Sequence, residues 1–234
     1  MAIGIVVLIL GSVGAALALL IVHEPGFYRR SAMPPGPARQ HNSGAFVSEC
    51  AKLVDEIRNH TQQKWYATFT DAQINSYFEE DFIRSRTDQV FLPAGISAPR
   101  IAIEDDKIRL AFRYGRGAWS TVISIDLRVW LAKQDTNVVA LELQGLHAGS
   151  LPISAQSLLE RISEACQRNN IDVKWYRHNG NPVALLRFQT DSPRPAVQLS
   201  KIELRKGLLV IGCRSNLPST KALVTRLTQL THIP

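Results

Sequence analysis

Hydrophobic positions follow three different spacings along this chain. A run of apolar and small residues covers positions 2–22, and Ser12 is its only polar side chain. Helical spacing follows over residues 46–57 and returns after Thr70. Between residues 100 and 145 the spacing changes to two, which is typical of strands with one buried face. The pattern therefore predicts an apolar leader, then helices, then an antiparallel sheet.

The apolar leader has the length and composition of a membrane span. As a helix its 21 residues would extend about 32 Å, close to the hydrocarbon thickness of a bilayer. A helix in a soluble core would show a polar face, and this segment has none. A signal peptide would carry basic residues ahead of a shorter run. Here no Lys or Arg precedes the run, and LLIVHEP is a poor cleavage site. We therefore predict an uncleaved transmembrane anchor over residues 1–23.

The segment after the anchor has the composition of a linker. Phe27 and Tyr28 are predicted to lie at the membrane interface, where aromatic rings are favoured, with Arg29 and Arg30 just beyond. Residues 31–44, SAMPPGPARQHNSG, are rich in Pro, Gly and small polar side chains, which indicates a flexible tether. We assign residues 24–44 to this tether and residues 45–234 to one extramembrane domain.

Two amphipathic stretches, separated by the short strand KWYATF, predict the helices that open this domain. The first begins near Gly44. The second begins at Thr70, where Gln73 completes a capping box. The apolar residues of the two stretches are Phe46, Val47, Cys50, Leu53, Val54 and Ile57, and then Ile74, Tyr77, Phe78 and Phe82.

The remaining pattern predicts antiparallel strands. A meander follows from residue 100, with turns at Asp105 and Asp106, at residues 115–117 and at residues 135–137. A helix follows Ser154, with the apolar residues Leu158, Leu159, Ile162, Ala165 and Cys166. Two hairpins then turn at Asn179 with Gly180 and at Lys206 with Gly207. TKALVTRLTQL predicts a C-terminal helix. Because strands and helices do not alternate, the predicted fold class is α+β.

The net charge of +7 lies entirely outside the leader, because residues 2–22 carry no charged side chain. A basic domain beside a membrane favours anionic lipid or an anionic envelope polymer as a partner. The alternative is ordinary solubility charge spread over about 200 residues. Nucleic acid is a further alternative, since basic and aromatic residues share the strands. Acidic residues interrupt the basic clusters, however, and the membrane span argues against that role. The basic residues are Arg109, Arg113, Arg116, Lys201, Arg205, Lys206 and Arg214.

No motif assigns a reaction to this chain. HExxH, GxSxG, GxGxxG and the P-loop are absent, and no two histidines have metal-ligand spacing. We therefore assign no catalytic, cofactor-binding or metal-binding residue. The three cysteines are too few for a disulfide scaffold, and we interpret them as small buried hydrophobes. One bridge among them remains open in an oxidising compartment. These cysteines are Cys50, Cys166 and Cys213.

An envelope hydrolase is the alternative function. It requires at least two of His147, Asp126, Glu142 or a cysteine to lie within hydrogen-bond reach in a concave pocket. Asp126 and Glu142 lie on the polar faces of neighbouring strands, where a cross-strand ion pair with Arg128 is the competing interpretation.

Two short motifs resemble the YpmS-like family of uncharacterised, membrane-anchored bacterial proteins. The first is an FTxxQIN-type motif, with Phe69, Thr70, Gln73, Ile74 and Asn75; the second is a GxLPI-type link, with Gly149, Leu151, Pro152 and Ile153. The order of span, tether, helix and meander is also similar. The resemblance implies a domain on the outer side of the membrane and no established enzymatic activity.

The charges around the span conflict with that orientation. No Lys or Arg precedes the span, whereas Arg29, Arg30 and Arg39 follow it, and the positive-inside rule then predicts a cytoplasmic domain. The rule weakens where a long domain follows, so we follow the resemblance and expect an extracytoplasmic domain. The sequence thus predicts a single-pass envelope protein that binds or scaffolds lipid, an envelope polymer or a membrane protein. The most specific form of this prediction is lipid binding in an apolar groove between the sheet and its helices.

Overall fold

The computed structural model confirms an α+β fold. It describes residues 19–59, 63–92, 94–117, 120–132, 135–168, 172–188 and 197–215. The helices in this part of the chain are α1 (Gly26–Arg30), α2 (Pro37–Asn59), α3 (Asp71–Glu79), α4 (Asp81–Arg84), α5 (Thr87–Phe91) and α6 (Gln156–Arg168). The strands are β1 (Lys64–Thr70), β2 (Ile96–Ile103), β3 (Lys107–Tyr114), β4 (Thr121–Leu131), β5 (Val138–Ala148), β6 (Leu151–Pro152), β7 (Asp172–His178), β8 (Asn181–Arg187), β9 (Val197–Arg205) and β10 (Leu208–Ser215).

The strands form two antiparallel sheets. The small sheet has the order β1-β10-β9, and the large sheet has the order β2-β3-β4-β5-β8-β7, with β6 paired to β5. The predicted meander, β2 to β5, therefore forms four of the seven strands of the large sheet. Both predicted hairpins are confirmed, and their turns use the expected residues. Asn179 and Gly180 have φ values of 50° and 85°, and Gly207 has a φ of 74°, as tight turns between paired strands require.

Helix α3 begins with the predicted capping box. The backbone N–H of Gln73 donates to Thr70 Oγ1, and the backbone N–H of Thr70 donates to Gln73 Oε1 at 2.8 Å. This arrangement satisfies two of the N–H groups that a helix start leaves unpaired. The capping box fixes the point where β1 ends and α3 begins.

The main hydrophobic core lies between the two sheets. The small sheet contributes Ala67, Phe69 and Leu204, and the large sheet contributes Ile101 and Ile103. Helices α2 and α3 close the side of this core, where the ring of Phe46 lies 5.4 Å from that of Phe69 and 4.9 Å from that of Tyr77. The same face of the large sheet continues under α6, where its buried residues are Ile125, Leu143 and Leu146.

Helix α1 covers the opposite face of the large sheet. Phe27 and Tyr28 pack there against Ala111 and Val122, and Tyr28 is only 1% exposed. The prediction that these two rings lie at the membrane interface is therefore wrong. The alternation of β3 and β4 leaves small apolar side chains on this face, and the two rings cover them.

The predicted tether is folded onto the domain. Helix α2 begins at Pro37, seven residues before the expected start at Gly44. Arg39 Nε binds Glu80 Oε1 at 2.7 Å, and Ser43 is 1% exposed and donates to Asp81. Proline is favoured in the first turn of a helix, so this part of the Pro-rich composition is compatible with a helix start. The acidic residues that follow α3, Glu80 and Asp81, are the partners of these side chains.

Some predictions lie outside the described residues. These are the bulk of the apolar leader, residues 1–18, and the C-terminal helix, residues 220–230. Among the residues that the structure describes, no helix is both long and apolar enough to cross a membrane. Residues 19–22 are helical, and they are the part of the predicted anchor whose contacts are known.

Candidate functional site

The C-terminal end of the N-terminal helical segment is bound by the large sheet. The backbone N–H of Ser150 donates to Leu20 O at 2.9 Å, and Thr121 Oγ1 donates to Ile21 O. The last carbonyl groups of a helix have no partner within the helix. The strand end at Thr121 and the β5–β6 turn supply partners for two of them, so the domain caps this segment directly.

Gly149 makes that close approach feasible. Its φ is +60°, and a Cβ atom at this position would overlap the Leu20 and Ile21 carbonyl groups. Its own N–H donates to Val122 O at 2.8 Å. Only glycine combines this backbone conformation with the missing side chain. The glycine of the GxLPI-type link is therefore the contact point between the sheet and the N-terminal segment.

The side chains of this segment remain exposed although they are apolar. Leu19 is 74% exposed and Val22 is 51% exposed, and Leu20 and Ile21 are about 40% exposed. Four consecutive exposed aliphatic side chains are unusual at the surface of a monomeric soluble protein. They continue the apolar run of residues 2–18 in the sequence.

A cluster of arginines and aromatic rings holds the chain that leaves this segment. Arg100 Nη1 donates to Tyr28 O at 2.9 Å, its guanidinium lies 4.3 Å from the centre of the Tyr28 ring, and Arg113 pairs with Glu24. The Tyr28 hydroxyl donates to Ala98 O at 3.0 Å. Burial raises the pKa of the Tyr28 phenol, and the nearby charges of Arg100 and Arg113 oppose that rise. These contacts leave little freedom between the segment and the sheet.

A groove of about 570 Å³ runs between α6 and the edge strand β7. Its half-buried floor contains Leu159, Trp175 and Pro182, and its exposed rim includes Glu160 and Arg177. The floor is fixed by a bond from Trp175 Nε1 to Ser163 Oγ at 2.8 Å. The volume lies in the usual range for small-ligand sites, and the floor offers mostly apolar surface.

The groove lies beside the β7–β8 turn, which Arg177 and Pro182 of its lining flank. Strand β5 runs to that end at Ala148, and β8 pairs with it in the opposite direction, so the β7–β8 turn points the same way. Helix α6 begins three residues after Ile153, whose N–H donates to Leu146 O at 2.9 Å. The groove and the bound helix end therefore share one end of the domain.

The residues of the hydrolase hypothesis share a sheet face but have separate partners. Asp126 pairs with Arg109 at 3.4 Å, and Glu142 accepts from Asn181 Nδ2 at 2.8 Å. The His147 ring lies over Gly145, near Asp126, with no hydrogen bond between the two among the described residues. The expected ion pair with Arg128 is replaced by the pair with Arg109, because Arg109 is the register partner of Asp126.

Two of the three cysteines are free thiols. Cys213 is buried in the small sheet, and Cys50 is half-buried on α2. Burial raises the pKa of both thiols, which disfavours the reactive thiolate. The side chain of Cys166 lies outside the described residues. In the described part of the chain, no group of three His, Cys, Asp or Glu side chains is arranged to hold a metal ion.

Four of the seven basic residues named in the sequence form ion pairs with residues that the structure describes: Arg109, Arg113, Lys201 and Arg205. Arg109 pairs with Glu104 and Asp126, and Lys201 and Arg205 both pair with Glu203. Such pairing argues against a continuous basic surface for nucleic acid.

Comparison with known proteins adds no relative. No protein-family model matches the chain, and no curated protein or solved structure matches it at significant similarity. The resemblance to the YpmS-like family therefore stays a prediction, and the site has to be interpreted from its own geometry.

Sequence reasoning missed the contact between the N-terminal segment and the sheet. Its signal was present in Gly149, which stands between a strand end and the next apolar stretch. A glycine between two strands is equally expected in an ordinary turn. The sequence alone therefore does not show that another backbone segment contacts Gly149. Glu24 and Arg113 are 89 residues apart, and their pairing has no local signal.

Proposed function

We propose that this chain is a single-pass membrane protein whose α+β domain stands on the bilayer surface and binds lipid there. The observation that carries the proposal is the exposed apolar helix end at residues 19–22, which is capped by Ser150 and Thr121. In hydrocarbon every backbone polar group needs a protein partner. Capping by the domain meets that need where an apolar helix leaves the membrane, and lipid would cover its side chains.

The groove beside α6 supports lipid as the ligand. Its apolar floor of Leu159, Trp175 and Pro182 suits an acyl chain, and the groove lies beside the β7–β8 turn, at the end of the large sheet that binds the N-terminal segment. An acyl chain from the adjacent leaflet would then enter the groove without crossing bulk water. The domain acts as a binding or scaffolding module, and no catalytic step is assigned to it.

The anchor is tested by alkaline carbonate extraction of membranes that contain the full-length chain. We expect the protein to remain in the membrane pellet. The double variant Leu10→Arg with Val13→Arg should release it, because each charge at the centre of a span costs about 3 kcal/mol. The matched variant Leu10→Ala with Val13→Ala should stay in the pellet. Release of the unaltered protein would overturn the proposal. For a protein that stays in the pellet, protease treatment of spheroplasts shows the side of the membrane on which the domain lies.

The groove is tested by photo-crosslinking with a phospholipid that carries a diazirine on its acyl chain. In vesicles, we expect crosslinks in the peptides that contain Leu159 and Trp175. Gln156→Trp would fill the mouth of the groove and lower this crosslinking several-fold. Gln167→Trp changes an exposed glutamine of the same helix that does not line the groove, and should leave it unchanged. Crosslinks confined to residues 1–22 would refute the groove as the lipid site.

A further inference from the structure

The end of the large sheet that caps the N-terminal segment also exposes an aromatic ring. Tyr114 is the last residue of β3 and is 53% exposed. Its register partners are Thr121 on β4 and Ile96 on β2. Thr121 is the residue that binds Ile21 O, and neighbouring strands lie about 4.8 Å apart. Tyr114 therefore lies one strand away from the point where the N-terminal segment reaches the domain.

The same end also carries a cation, Arg116, that forms no ion pair with the residues that the structure describes. Arg113 is neutralised by Glu24. Arg116, in the turn after β3, is exposed and has no ion pair among the described residues. An aromatic ring beside a free cation is the combination that membrane interfaces favour, because the ring fits the headgroup depth and the cation is attracted to anionic lipid.

The opposite end of the large sheet lies close to a second exposed cation, Lys206. Gly207 N donates to Ile103 O at 2.8 Å, which places the β9–β10 turn beside the far end of β2. Lys206 in that turn is exposed and also has no described ion pair. Along β3 the two ends are separated by six residues, from Tyr114 to Ile108, which is about 20 Å of strand.

We propose that the sheet end formed by residues 114–117, Thr121, Gly149 and Ser150 lies in the headgroup layer of an anionic bilayer. This inference rests on the proposed anchor, and it adds a second membrane contact made by the domain itself. The headgroup layer is about 5–8 Å thick on each side of the hydrocarbon. Only three residues separate Val22 from α1, so the capped helix end holds this sheet end within that layer.

The bilayer is favoured over a protein partner because the surface is continuous with the anchor. Leu20 and Ile21 are joined to the sheet end by hydrogen bonds, and whatever surrounds their side chains also surrounds the adjacent turn. The far end, with Lys206, is expected to remain in water.

The test compares two amines within one molecule. The full-length variant Arg116→Lys keeps the charge and places an amine in the edge turn, and the native Lys206 supplies the reference. The protein is reconstituted in vesicles of phosphatidylcholine with phosphatidylglycerol, treated briefly with a water-soluble sulfonated succinimidyl ester, and analysed by mass spectrometry. The ratio of the two labelling rates is normalised to the unfolded protein, and it does not depend on the orientation of the protein in the vesicle.

We expect the amine at position 116 to react at least about five-fold more slowly than Lys206. Five-fold is about the gain in membrane affinity that one basic residue contributes near an anionic leaflet. The protection should weaken at high salt and in vesicles of phosphatidylcholine alone. Equal labelling in a protein that still resists carbonate extraction would overturn this inference and leave the anchor intact. Carbonate release of the protein would instead overturn the anchor, and this inference with it.

Discussion

Single side chains hold helix α2 against the rest of the domain, and Asp81 is the clearest case. It accepts hydrogen bonds from Ser43 Oγ and from Arg84. These bonds hold the pKa of the Asp81 carboxyl below its usual 3.8, the Ser43 bond contributing most. A carboxyl whose pKa is lowered by folding stabilises the native state above its unfolded pKa, and that contribution is lost as the pH falls through the folded value.

Ser43→Ala should lower the free energy of unfolding by about 1–2 kcal/mol at pH 7. Because the lost bond is made to the ionised carboxyl, the difference from the unaltered protein should shrink as the pH falls below about 4. Denaturant unfolding of both proteins between about pH 2.5 and 7 measures this difference in the free energy of unfolding. Ser85→Ala is the matched control, since Ser85 Oγ bonds the Asp81 backbone carbonyl rather than the carboxyl. A Ser43→Ala effect with no pH dependence would contradict this account.

At the scale of elements, one asparagine joins α3 to the large sheet. Asn75 is 2% exposed, and its amide both donates to Ile101 O and accepts from Ile101 N, each at 2.8 Å. The side chain thus takes the place of a neighbouring strand at the bulge in β2, where the register with β3 shifts. It determines how the helix sits over the core.

Asn75→Asp should destabilise the domain by about 3 kcal/mol, because a buried carboxylate cannot donate to Ile101 O and would face that carbonyl without a partner. Thermal or urea unfolding of the full-length protein would detect it. Asn179→Asp makes the same change at an exposed turn, where aspartate also tolerates a positive φ, and should cost little. Equal losses of stability from the two changes would show that the two hydrogen bonds between Asn75 and Ile101 do not stabilise the domain as described.

Other elements were predictable because their signals are local. Asn179 with Gly180 predicts a two-residue hairpin from turn chemistry alone, and Thr70 with Gln73 predicts a helix start. The course of residues 24–44 was not predictable. Its composition is that of a linker, and the start of α2 is held by Arg39 and Ser43 through partners about 40 residues away. Local composition carries no information on such pairs.

At the scale of the whole molecule, two sheets are joined through the β4–β5 turn. Asn137 in that turn has a φ of 57°, donates to Val197 O at 2.8 Å and accepts from Leu199 N at 2.7 Å. The small sheet is thereby fixed to the large sheet at β9, in addition to the shared apolar core. The fold class followed from the spacing of apolar residues. The assignment of strands to two sheets depends on contacts like this one, which lack a local pattern.

The candidate site also belongs to this scale, since it combines residues that are about 100 or more positions apart in the chain. Leu20, Thr121 and Ser150 meet at one sheet end, whereas the groove is formed by α6 and β7. The sequence supplied the apolar leader and the expectation of a groove. The floor of the groove includes Leu159, which belongs to the apolar residues predicted for the helix after Ser154, and Trp175, which lies on β7.

The backbone contact at Gly149 couples the rotation of the N-terminal helix to that of the domain. A helix turns by about 100° per residue, so one residue inserted just before Leu19 would turn the proposed anchor by that angle relative to the bound carbonyl groups of Leu20 and Ile21. Any pairing of two such helices in the plane of a membrane would therefore set the angle between their two domains. The phase of the helix, in addition to its length, is a constraint on replacing this leader with another.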